Sequence, residues 1–148
     1  RSKMDTDLLN FFAERLEALH RKDVDEARTF EFNLDTFLER DYCGPVGCAV
    51  GWAVVDPALR DRFGLHSDAG EEPSFVEVAR KIAAAANVPE DLFWYFQDIF
   101  HPRCGWSYWY LPGPEPTALD VATAIRRFAG GVDPADLVAF RKENAGRD

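Results

Sequence analysis

The run Pro45-Val46-Gly47-Cys48-Ala49-Val50-Gly51-Trp52-Ala53-Val54 carries no charge on any side. An element apolar all round has no face to give to water, so the remaining elements must enclose it. Pro45 has the fixed φ of a first helical position, and the spacing predicts a helix from Pro45 through Val54 at the centre of the fold. Gly47 and Gly51 lie four apart with Cys48 beside them, which predicts that a neighbouring backbone comes close on that face. Each Gly costs about 1 kcal/mol of helix propensity relative to Ala, so packing has to supply the difference.

Other elements follow from caps and periodicity. Asp5 or Thr6 can cap a first helix in which Leu9, Phe12, Leu16 and Leu19 form one buried stripe, widened by Leu8 and Phe11 and ending near Lys22. Phe30, Phe32 and Leu34 alternate with polar residues, but a lone strand has nothing to pair with, so they read as an extended arm. Asn33 or Asp35 is then expected to cap a short turn of helix holding Thr36, Phe37 and Leu38. Asp56-Pro57 opens a short helix through Leu59, Arg60 and Phe63, with Gly64 as its left-handed stop, and His66 to Pro73 reads as loop. Ser74 caps a helix carrying Phe75, Val78, Ala79 and Ile82, which ends before Asn87. Pro89 starts another, with Leu92, Phe93, Phe96 and Ile99 as its buried face. Thr117 and Asp120 resemble a capping box ahead of Val121, Ile125 and Phe128, and Gly130-Gly131 ends that helix. Asp133-Pro134 opens a last one with Leu137, Val138 and Phe140. With no internal repeat and no linker, the expectation is an all-α, compact, irregular bundle of about six or seven helices around the central apolar Cys/Gly/Ala-rich helix. It forms one domain over residues 1–148, in which Met4 is the expected natural start and Arg1 to Lys3 an added remnant.

The segment Cys43-Gly44-Pro45-Val46-Gly47-Cys48-Ala49-Val50-Gly51-Trp52-Ala53 is similar to a family of small, uncharacterised bacterial and bacteriophage proteins. Their recurrent core reads Cys-Gly-Thr-x-x-Cys-x-x-Gly-Trp/His-Ala. The flanking order matches as well: Phe63-Gly64-Leu65 after the motif, the pair Leu92-Phe93, and a closing Ala-x-x-Ile-x-x-Phe pattern at Ala122 to Phe128. Pro45 stands where the family has Thr, which puts in doubt any role that needs a hydroxyl there. The resemblance implies an integral fold and a bacterial or phage origin. It implies no activity.

Charge narrows the classes of partner. Seventeen Lys and Arg stand against 26 Asp and Glu, a net charge of −9. Such a field repels nucleic-acid phosphates and anionic membranes, so nucleic-acid binding by charge attraction is not expected. No apolar run is long enough to span a bilayer and no secretory pattern opens the chain, making the cytoplasm the expected setting. Three cysteines, too few and odd in number for a disulfide framework, agree with that.

Cys43 and Cys48, with His101 and Cys104, are residue types that bind tetrahedral zinc. Against this, Cys48 falls inside the apolar run, where a buried free cysteine is ordinary packing. Cys43 lies just before the predicted helix start, where a thiol pKa can fall, but no local signature pairs it with His20, His66 or His101. A Cys43–Cys48 disulfide is disfavoured along a regular helix. Phosphate loops, metalloprotease helices, nucleophile elbows and calcium loops are all missing from the sequence, and no cofactor is expected. The segment from His101 to Tyr110 is unusually rich in rings, with Arg103, Trp106, Tyr108, Trp109 and Tyr110 as the expected binding residues. The leading expectation is thus a non-catalytic interaction protein whose partner is another protein. An acidic inhibitor imitating nucleic acid through carboxylates of the first helix and the Asp23 to Glu31 region is the alternative, as is a metal or thiol protein built on Cys43, Cys48, His101 and Cys104.

Overall fold

The computed structural model describes residues 3–33, 36–41, 44–66, 73–100 and 117–131. Among them are six α-helices, two short 3₁₀ turns and a three-stranded sheet. The all-α expectation is corrected by that sheet: the fold is mixed α and β.

Helix α1 (Thr6–Arg21) follows its capping signals closely. The Asp5 carboxylate accepts the Leu8 N–H at 3.0 Å, and the helix stops at Lys22, which takes the left-handed conformation with φ 60°. Lys22 then donates through Nζ to the Phe30 carbonyl at 2.8 Å, so the chain leaving α1 is held as it turns back. Leu8, Leu9, Phe12, Leu16 and Leu19 are buried. A 3₁₀ turn over Asp25–Arg28 leads to strand β1 (Glu31–Phe32).

The centre of the chain departs from the helical expectation. Strand β3 (Gly44–Gly47) lies between β1, to which it is parallel, and β2 (Leu38–Asp41), to which it is antiparallel. The extended arm at Phe30 to Phe32 does therefore have a partner, one supplied from more than ten residues downstream. The short helical turn expected at Thr36 to Leu38 is instead the entry to β2. Pro45 starts no helix. It is tolerated in the middle strand because β1 reaches only Val46 and Gly47, leaving Pro45 paired with Arg40 of β2 alone, and a proline needs a free edge where its missing N–H is not called upon.

Only the second half of the apolar run is helical, as α2 (Ala49–Val55), with Ala49, Val50, Gly51, Trp52 and Ala53 buried. The enclosure expected of this segment holds for those residues. So does the close approach at the glycines, although the neighbour is a strand entry rather than a helix. A Cβ placed on either Gly47 or Gly51 would collide with the carbonyl oxygen of Phe37. That same oxygen accepts the Cys48 N–H at 3.3 Å.

Helix α3 (Pro57–Phe63) begins at Asp56 and ends on the left-handed Gly64, as its sequence dictates. Asp56 has no exposure. Its carboxylate receives the Arg15 guanidinium in a two-point pair, Nε to Oδ2 and Nη2 to Oδ1 at 2.8 Å each, and lies 3.4 Å from the Ala58 N–H that it caps. Beside it the Trp52 indole donates to the Arg15 carbonyl at 3.2 Å and meets Phe30 edge-on at 5.1 Å. The hydrogen bond between Asp56 and Arg15 holds the guanidinium pKa above its ordinary value.

Helices α4 (Phe75–Ala85), α5 (Phe93–Asp98) and α6 (Ala118–Ala129) complete the described core. Phe12 stacks on Phe100 at 5.8 Å and meets Phe63 edge-on, while Phe96 contacts both Phe100 and Phe128. α6 carries the expected Thr117–Asp120 capping box and packs along α1. Across their seam Arg126 grips Glu17 through two hydrogen bonds of 2.6 and 3.1 Å. That hydrogen bond lowers the Glu17 carboxyl pKa below the ordinary range. Its stabilisation is then complete above the unfolded carboxyl pKa and is lost as pH falls through the lower, folded value. Both groups reach water, so the pair is worth about 0.5 kcal/mol at neutral pH. Denaturant midpoints measured against pH should fall less steeply on the acid side in Glu17→Gln, and an acid limb equal to the wild type's would contradict the assignment.

Candidate functional site

Ser74 caps α4 through its hydroxyl, which accepts the Glu77 N–H at 3.2 Å. The stripe Val78, Ala79, Ile82 and Ala83 turns inward, and the opposite side, with Val76, Glu77, Arg80 and Lys81, is left in water. Asn87 takes a positive φ of 55° and ends the helical run, so that Pro89 and the 3₁₀ turn Glu90–Leu92 lead back into α5. In α5 Phe93 and Phe96 are buried and Tyr95 is half-buried, while the helical period puts the residue that follows Phe93 outside. That residue is Trp94, 62% exposed; Val76, 51% exposed, lies one turn before Arg80 on α4.

Arg80 ties the two elements together. Its Nη1 donates to Glu90 Oε1 at 2.7 Å, and its guanidinium lies over the Phe93 ring at 3.7 Å. The same group is 5.9 Å from the Trp94 ring centre, and Phe93 meets Trp94 edge-on at 5.5 Å. The indole is thus braced along one side and open on the rest. A braced ring loses little further freedom on contact with a partner, which is what makes exposed Trp effective at interfaces.

The sequence did not single out Trp94. Its signal was there: Leu92, Phe93, Phe96 and Ile99 define the inward stripe, and Trp94 falls off it. The binding residues expected from the sequence, Arg103, Trp106, Tyr108, Trp109 and Tyr110, lie outside the described residues. So do Cys43, His101 and Cys104 of the zinc and thiol alternative, and the helix expected after Asp133.

Cys48 is described, and it rather than Cys43 stands at a helix start, as the residue before α2. It is a free thiol, 1% exposed, with Sγ donating towards the Phe37 carbonyl at 3.8 Å. Burial pushes its pKa up, against smaller lowering contributions from the backbone N–H groups of Gly51 and Val50. A protonated, enclosed thiol is a packing group. Its alkylation, read by peptide-resolved mass spectrometry, should be slower than in the denatured chain by on the order of 100-fold or more, since reagent must wait for local opening. Equal rates would show that it is reachable. Among the described residues no group of three His, Cys, Asp or Glu side chains is arranged to hold a metal ion.

Some carboxylates near α1 are matched by bases, while Asp7, Glu14 and Glu31 are exposed. Glu17 pairs with Arg126, Asp23 with Arg21, Asp25 with Arg28 and Asp56 with Arg15. Among the described residues no helix is long and apolar enough to cross a membrane. No protein-family model matches the chain, and neither a curated protein nor a solved structure matches it.

Proposed function

We propose that this chain is a non-catalytic protein-binding protein that docks its partner on the outer face of α4 and α5, centred on Trp94. The observation that carries the reading is a tryptophan more than half exposed, braced by Phe93 and Arg80 and with exposed Val76 on the adjoining helix. Large aromatic anchors on a rigid element are what protein interfaces are built on. The likeness of Cys43 to Ala53 to bacterial and phage proteins supports an accessory role in such a cell, and the free Cys48 thiol fits a reducing cytoplasm.

Trp94→Ala should leave the thermal midpoint within about 2 °C of the wild type, because the side chain is mostly in water. Tagged wild type and variant are compared in capture from bacterial extract, with quantitative mass spectrometry. Loss of a specific protein from the variant alone is the expected result. An identical set recovered with both would remove Trp94 as the docking site.

A further inference from the structure

We infer that the group seated on Trp94 is an arginine or lysine side chain from a basic segment of the partner protein, an inference that rests on the docking reading above. The face of an indole ring is electron-rich and attracts cations more strongly than any other side-chain ring. Arg80 meets that ring only at the outer limit of such a contact. Its guanidinium is centred on Phe93, reaches Trp94 only at 5.9 Å, and is matched by Glu90 at 2.7 Å. Asp91 lies in the 3₁₀ turn that runs directly into α5 and precedes Trp94 by three residues, a spacing that puts side chains on one face. Asp91 is exposed and has no ion-pair partner among the described residues. Across the whole face the carboxylates of Glu77, Glu90 and Asp91 outnumber the cations of Arg80 and Lys81. An incoming cation therefore finds a ring face to stack on, a carboxylate beside it, and a chain of net charge −9 that steers it there. An acidic partner would meet repulsion from the same groups.

The probe is a fluorescein-labelled dodecapeptide of alternating arginine and serine, read by anisotropy. A twin with citrulline in place of arginine keeps the shape and removes the charge. The arginine peptide should bind and the twin should bind far more weakly. Trp94→Ala should weaken the arginine peptide by about 2- to 30-fold, Trp94→Phe by less, and Asp91→Asn by about 2-fold. Equal binding of the two peptides overturns the inference. So does an arginine-peptide affinity unchanged in Trp94→Ala, which would mean diffuse attraction to an acidic surface. If Trp94→Ala abolishes capture of the cellular partner while the peptides ignore Trp94, the cation is wrong and the docking site stands. If neither capture nor peptide binding depends on Trp94, both fall.

Discussion

Gly51→Ala lowers the stability of the fold by about 3 kcal/mol or more, although Ala is the better helix former by about 1 kcal/mol. The sign is set by what lies over the glycine. The new Cβ would meet the carbonyl oxygen of Phe37, a backbone atom, and carbon and oxygen cannot share that space. Relief by movement is blocked from both sides. Phe37 is held by the Cys48 N–H that it receives and by the β2–β3 ladder that starts at the next residue, Leu38 opposite Gly47. Gly51 is held in α2 beneath the buried Trp52. Overpacking at a side-chain contact can be eased by a rotamer change, but here a strand or a helix would have to shift. Chemical denaturation of the variant checks this, and an unchanged or raised midpoint would place the strand entry away from α2.

The second large effect is at the ion pair. Arg15→Met should cost about 3 kcal/mol, because it leaves the Asp56 carboxylate fully buried with only the Ala58 N–H for company. The figure sits at the low end of what such a loss costs, since Arg15 itself is about one-fifth exposed and water can follow it in. Asp56→Ala should also destabilise, losing the α3 cap as well as the pair. The double variant Arg15→Met with Asp56→Ala should then cost less than the sum of the two, since each single change strands a group that the double change removes. Strict additivity in a double-mutant cycle would show that the two side chains do not depend on each other.

Much of the helical part was legible in the sequence because its signals are local. Asp5, Ser74 and Thr117 cap their helices through the side-chain oxygens expected of them, Asp56-Pro57 opens α3, and Gly64 closes it. The buried stripes of α1, α4 and α6 follow the three-and-four spacing. Where the reading failed, the signal was ambiguous or its partner was distant. Pro45 suits a helix start as well as a strand with a free edge, and a short apolar run does not by itself distinguish helix from strand. Phe30 to Phe32 alternates as a strand should, yet its pairing residues are Val46 and Gly47, beyond any local window. Trp94 is a single ring one position off the buried stripe of α5, which points it outward, and the denser group of rings from His101 to Tyr110 is the stronger aromatic signal in the sequence.

What the sequence by itself determined here is the set of helix ends, the inward faces of the amphipathic helices and the need to enclose the uncharged segment, because each depends on residues within one or two turns of one another. Tertiary structure alone decided that the start of that segment would be a strand, that the Phe37 carbonyl would press on Gly47 and Gly51, and that Arg80 would brace the rings at Phe93 and Trp94. Those outcomes depend on hydrogen bonds and contacts between residues far apart in the chain, and no local pattern encodes which distant backbone will arrive.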